Sequence, residues 1–278
     1  MPELPEVETV ARGLNQLVAG DVIESVWLGS KPEPLKSPAR EIVLTLERAQ
    51  IGGVRRVGKH IVVDLLRAGA GKSKARNKPV DKAQWIVHLG MTGRILVCRA
   101  GDEKLKHTHA IASLRSGREL RFVDPRRFGR LSVSSEFAAR GAEPLEVQLE
   151  AFVKLFRQRK TPIKSALLNQ SLLSGVGNIY ADEALSRAAI RPRRRASSLR
   201  REELRRLYLS LKEVLQEAIA LGGSSVSDYV DANGDQGSFQ LQHRVYGREG
   251  EPCLVCRTPI KRIMITGRSS HYCPHCQK

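Results

Sequence analysis

Met1-Pro2-Glu3-Leu4-Pro5-Glu6-Val7-Glu8 opens the chain. From Pro5 onward it reads as a helix start. Proline suits the first helical turn, and Glu6 and Glu8 suit the positive end of a helix. Val7, Val10, Ala11, Leu14, Leu17 and Val18 then recur at helical spacing, predicting one apolar face over 5–18. Pro2 and Glu3 lie ahead of that helix. Removal of Met1, usual before a small residue, would leave Pro2 with a free secondary amine. Such an amine attacks an aldehyde carbon and forms an iminium ion. Glu3 places a carboxylate beside it, suited to proton transfer.

Beyond this helix the pattern changes to short runs at 22–28, 42–46, 54–57, 61–65, 85–89, 95–99, 110–114, 119–123 and 131–133. Glycine, proline and polar clusters separate them, which predicts strands in a sandwich or flattened barrel. Residues 68–82 are rich in Gly, Ala, Lys and Arg without periodicity and read as a mobile basic loop. A boundary is expected at 136–150, after a first domain over 1–135. The second half reads as helical at 150–158, 162–168, 182–188 and 199–221. Leu204, Leu207, Tyr208, Leu211, Val214, Leu215, Ala218 and Ile219 give the longest of these an apolar face. Ser197 or Ser198 is expected to cap it, and Gly222-Gly223 to end it. A polar loop follows at about 222–242, then a cysteine module over 244–278.

The chain carries 47 Lys+Arg against 29 Asp+Glu, a net charge of +18. That imbalance points to phosphate backbone as partner. The carboxylates at the opening repel a polyanion, so chemistry accounts for them better than binding does. No apolar run is long enough to span a membrane, and no secretory signal stands out. A cytoplasmic protein is expected.

Of five cysteines, four form Cys253-x2-Cys256-x16-Cys273-x2-Cys276. Two such knuckles supply four thiolates to one tetrahedral zinc with no open position, so a structural ion is expected. The residues between read as a hairpin, 260–265 and 271–273, with Arg268 at its tip. Cys98 is left over in a strand-like run and reads as structural. Gly175-Val176-Gly177-Asn178 is a glycine turn opening a helix, and its N–H groups suit a phosphate. Arg159, Lys160 and Lys164 form a basic cluster. Gly58-Lys59-His60 sits between two strands. His88–Gly93 and Asp124–Gly129 follow strands as turns, which places Met91 and Phe128 on exposed loops.

These motifs together resemble the formamidopyrimidine-DNA glycosylase family from the first residues to the last cysteines. The resemblance implies an α+β fold: an N-terminal antiparallel β-sandwich with flanking helices, then a helical helix–two-turn–helix domain at 151–243, then a zinc-finger β-hairpin. It implies a DNA glycosylase with abasic-site lyase activity acting on oxidised purines in duplex DNA. Pro2 would be the nucleophile, Glu3 the proton shuttle, and Lys59 and Arg268 would support strand cleavage. His107, Arg159 and Asn178 would contact DNA, and Lys164 would lie at the lesion. Met91, Arg126 and Phe128 would fill the gap left by an extruded base. The loop at 222–242 would face the lesion. One zinc, a monomer bound to damaged duplex DNA and a bacterial nucleoid location complete the expectation. The rivals are an endonuclease VIII-like glycosylase for oxidised pyrimidines and a non-catalytic zinc-ribbon DNA-binding protein. Leu4 and the Met91/Arg126/Phe128 set argue against the first. The second leaves Pro2, Glu3 and Lys59 unused.

Overall fold

The computed structural model describes residues 1–68, 80–226 and 229–278. They form two compact units, and the chain passes between them several times. One unit comprises Met1–Pro2, Glu6–Ala138 and Ser224–Gly237. The other comprises Glu3–Pro5, Ala139–Gly223 and Ser238–Lys278.

In the first unit, helix α1 (Leu4–Val18) buries Val7, Val10, Ala11, Leu14 and Val18, the stripe its periodicity predicts. Strands β1 (Ile23–Leu28), β6 (Thr108–Leu114), β7 (Arg118–Val123) and β5 (Arg94–Arg99) form one antiparallel sheet in that order. Strands β2 (Gln50–Val57), β3 (His60–Ala68), β4 (Val80–His88) and β8 (Arg130–Ser134) form the other. Ile61, Val63 and Leu65 alternate along β3 and share one core with Ile95, Leu120 and Phe122 of the opposite sheet. Alternation at period two delivers one face of each sheet to that core, which is the expected sandwich.

Residues 42–46, expected as a strand, belong instead to helix α2 (Ala39–Leu46). Ile42 and Leu46, four apart, are buried, while Leu44 between them is 56% exposed. A strand would have put all three on one face. Pro38 precedes the first turn, where its missing N–H is no loss. The ends of the expected basic loop are strand: Ala68 of β3 pairs with Val80 of β4. The rest of that segment, 69–79, lies outside the described residues, as do Ser227 and Asp228 in the loop at 222–242.

The second unit packs helices α3 (Leu149–Phe156), α4 (Ile163–Leu167), α5 (Asn178–Arg187) and α6 (Arg201–Ala220) around one core. Leu204, Leu207, Leu211, Val214, Leu215 and Ala218 supply the α6 stripe. Neither expected serine caps α6, because Ser197 and Ser198 lie in a 3-10 turn. The Arg200 N–H donates instead to Glu203 Oε2 at 2.8 Å, since a glutamate at the third helical position can reach back to the cap. Gly222 and Gly223 follow α6 with φ of 73° and 81°. A hairpin of β9 (Lys261–Ile265) and β10 (Arg268–Tyr272) closes the chain. Its turn is Thr266-Gly267 alone, so Arg268 is the first residue of β10 and not the tip.

Candidate active site

Pro2 is buried and begins the first unit. Lys59 occupies the two-residue turn between β2 and β3, after Gly58 at φ 60°. Arg56 holds that turn to α1: its guanidinium donates to Glu8 Oε2 at 2.8 Å and to the Gly58 carbonyl at 3.1 Å. The helix leading from Pro2 and the turn carrying Lys59 are thus tied by a half-buried ion pair. Lys59 itself is 9% exposed, unlike the solvated lysine a β-turn ordinarily carries.

Met91 and Phe128 project from two separate turns and are 41% and 53% exposed, as expected. The Arg126 guanidinium lies 4.8 Å over the Phe128 ring, a cation–π contact that orients both. His107 is exposed and adopts φ 67°. These residues sit on turns at sheet ends, where a side chain can point outward without disturbing the core.

Glu3 belongs to the second unit. Its carboxylate accepts from the N–H of Ile179 at 3.0 Å and of Tyr180 at 3.4 Å. It therefore occupies the positive end of α5 and caps that helix from 176 residues away in sequence. The glycine turn before α5 was expected to offer its N–H groups to a phosphate; two nearby groups are taken by Glu3. A Cβ at Gly177 would lie 2.2 Å from Glu3 Cδ, so only glycine leaves room for the carboxylate. The cap also explains why α5 starts at Asn178 and not at 182, as the sequence suggested.

Asn178 Nδ2 donates to Ser269 Oγ at 3.3 Å, beside Arg268. Arg159 is exposed, and its Nε donates to the Leu155 carbonyl at 3.4 Å. Lys164 is buried. Its side chain is 1% exposed, with Nζ 2.7 Å from Asp182 Oδ1 and 2.6 Å from the Ser269 carbonyl. Burial lowers its pKa from the ordinary lysine value, against the upward pull of Asp182. In this arrangement its ammonium faces protein and not solvent, because a buried carboxylate on α5 demands a counter-charge. Lys164 thus holds β10, the strand that starts with Arg268.

Sequence reasoning missed Asp182. Besides Lys164, this fully buried carboxylate accepts from Ser270 Oγ and from the His271 N–H, both at 2.9 Å. Four residues after Asn178 on α5, it pins the hairpin to the helix that Glu3 caps. A carboxylate inside a helix ordinarily reads as solvated, so no local signal marked it.

The four expected cysteines converge, with all sulfurs within 4.8 Å of one another. Cys256 and Cys273 are 3.4 Å apart and Cys253 and Cys276 3.9 Å. A tetrahedral zinc with bonds of ~2.3 Å sets its sulfurs ~3.8 Å apart, so the cluster fits the ion. Val255 and Cys276 donate N–H bonds to Cys253 and Cys273 sulfur, which suits thiolates. Four sulfurs fill the tetrahedron, so the zinc is structural.

Comparison with known proteins bears on the whole chain. Residues 1–131 match the formamidopyrimidine-DNA glycosylase N-terminal domain, 141–230 the H2TH domain of the same enzymes, and 250–278 the zinc finger found in FPG and IleRS. The formamidopyrimidine-DNA glycosylase of Solibacter usitatus is 46% identical over the full length of both chains. The crystal structure of MutM (Fpg) from Thermus thermophilus superposes with a TM-score of 0.83 at 41% identity, covering 99% of this chain and 98% of that one. Wild-type Lactococcus lactis Fpg in complex with DNA containing N7-benzyl-Fapy-dG gives 0.86 at 31% identity, with full coverage of both.

Proposed function

The chain belongs to the formamidopyrimidine-DNA glycosylase family, and from that premise we propose the following division of labour at its site. The enzyme removes oxidised purines, 8-oxoguanine and formamidopyrimidines, from duplex DNA and then cleaves the strand. The target carbon is shielded in the stack, so the damaged nucleotide must be extruded first. With Met1 removed, the Pro2 amine attacks deoxyribose C1′, and the bond from C1′ to the base breaks. The base leaves with a proton, and the ring-opened sugar remains as an iminium on Pro2. Loss of a C2′ proton expels the 3′ phosphate, and a second elimination expels the 5′ phosphate. Glu3 moves protons to and from the sugar. Lys59 and Arg268 hold the flanking phosphates while these leave.

The observation that carries this reading is the seat of Glu3. A carboxylate next to Pro2 is held by two N–H donors in space that Gly177 alone leaves open. A terminus serving only to start α1 has no need of that arrangement. His107, Arg159 and Asn178 hold DNA phosphates in this reading, and Lys164 acts on DNA through the strand it anchors. Met91, Arg126 and Phe128 occupy the vacated stack. A first domain over 1–135, a joining segment over 136–150, the helical domain and the zinc finger then correspond to chemistry, connection and grip. No helix among the described residues is long and apolar enough to cross a membrane; the proposed location is the bacterial nucleoid, and the proposed state a monomer.

The test is borohydride trapping on abasic DNA. A covalent adduct should form at Pro2, because an iminium is reducible. Adding residues ahead of Pro2 should abolish it, and undiminished trapping in that extended protein would move the nucleophile to a lysine.

A further inference from the structure

Asp124 follows β7 and is completely buried. Its Oδ1 accepts from the Thr92 hydroxyl at 2.5 Å and from the Arg126 N–H at 3.2 Å. Its Oδ2 accepts from the Gly129 N–H at 2.7 Å. Thr92 lies next to Met91, and Gly129 next to Phe128. Its main chain reaches further: the Asp124 N–H donates to the His107 carbonyl at 3.0 Å, and its carbonyl accepts from His109 Nε2 at 2.9 Å. The two turns also touch backbone to backbone. Gly90 has φ 66°, and a Cβ there would lie 2.5 Å from the Phe128 carbonyl carbon.

From this we infer that Asp124 is a positioning residue that locks the Met91 turn and the Arg126–Phe128 turn into one preformed wedge. The inference rests on the proposed gap-filling role of those side chains. The physical case is one of cost. Burying a carboxylate is expensive unless both of its oxygens find donors. Here the donors are one hydroxyl and two main-chain N–H groups, all within the two exposed turns. The sheets complete their ladders without it. What the carboxylate adds is a fixed relation between two loops that have no regular pairing of their own. Two free loops would each lose conformational entropy on entering the duplex, whereas a joined pair has lost it at folding. An asparagine keeps the shape but offers one acceptor oxygen and turns an NH2 toward donors.

The test compares single-turnover excision from an 8-oxoguanine duplex with strand cleavage at an abasic duplex, where no base must be extruded. Asp124→Asn should slow excision by about tenfold or more, the loss expected when buried charge-assisted bonds of this kind are broken. Abasic cleavage should fall several times less. Combined with Met91→Ala or Phe128→Ala, the Asp124→Asn loss on excision should shrink, because residues acting as one unit are not additive. A residue that merely stabilises the fold would multiply independently and would slow both substrates alike, and either result overturns the inference. Thr92→Val removes only the hydroxyl and provides the comparison should Asp124→Asn fail to fold. Its excision loss should be smaller and equally non-additive, and full excision in that variant also overturns the inference. Equal losses on both substrates for Met91→Ala and Phe128→Ala would sink the gap-filling reading itself. Selective losses there, without one for Asp124→Asn, would sink only the role of Asp124.

Discussion

At Gly177 a Cβ would lie 2.2 Å from Cδ of Glu3 and 2.4 Å from its Oε1. The backbone there has an ordinary φ of −133°, so the constraint is space and not conformation. Alanine would therefore fold into the same turn and push the carboxylate off the end of α5. Gly177→Ala should reduce excision by about 10²-fold, the scale of a misplaced acid–base group. Binding to an abasic duplex should change far less. Single-turnover kinetics beside a binding titration make the comparison, and an unimpaired rate would mean that Glu3 does not need its seat. Lys164 is the converse case. Its charge suggests a solvated residue, but its place between Asp182 and Ser269 makes it a strut for β10.

Helix α5 is the element on which the second unit turns. Its N-terminus seats Glu3, Asn178 reaches Ser269, and Asp182 fixes Ser270 and His271. The next residue, Glu183, accepts from the N–H groups of Arg244, Val245 and Tyr246, which lead into the cysteine module. The hairpin is thus held to α5 at one end and by the zinc cluster at the other. A two-stranded hairpin has little stability alone, so loss of metal should disorder it. Cys253→Ser, or zinc removal by a chelator, should weaken binding to lesion DNA by at least about tenfold through release of Arg268. Zinc content read beside affinity checks this, and a zinc-free protein with full affinity would refute it.

Across the whole molecule, partly and fully buried histidines link stability to pH. Burial lowers the pKa of His88 to about 4, aided by the nearby charges of His60, Arg130 and Lys59. Burial alone does the same to His243, which is also lowered to about 4. Unfolding returns both to about 6.5. Between these values the unfolded chain binds protons that the folded chain refuses, so stability is full above about pH 6.5 and is lost as pH falls toward about 4. Urea midpoints at pH 7.5 and 5 should show the fall. His243→Phe, which keeps the ring contacts with Phe239 and Tyr246, should make it shallower. An identical fall in the variant would mean that His243 does not contribute to it.

The sequence by itself determined whatever depends on spacing within one segment. The α1 stripe, the short apolar run of β3, the paired cysteine knuckles and the adjacency of Pro2 to Glu3 are all local patterns, and periodicity, run length or covalent neighbourhood carries them. Even the exposed Met91 and Phe128 follow from apolar residues placed in turns. Tertiary structure decided what depends on which buried group meets which. Residues 42–46 have strand-like composition but become helical because Ile42 and Leu46 reach the core together. The partners of Glu3 lie 176 residues away, and the Lys164 ammonium bonds to a carbonyl 105 residues away. Asp124 looked like an ordinary turn residue. A desolvated charge takes its meaning from its donors, and those donors come from chain segments that only the fold brings together.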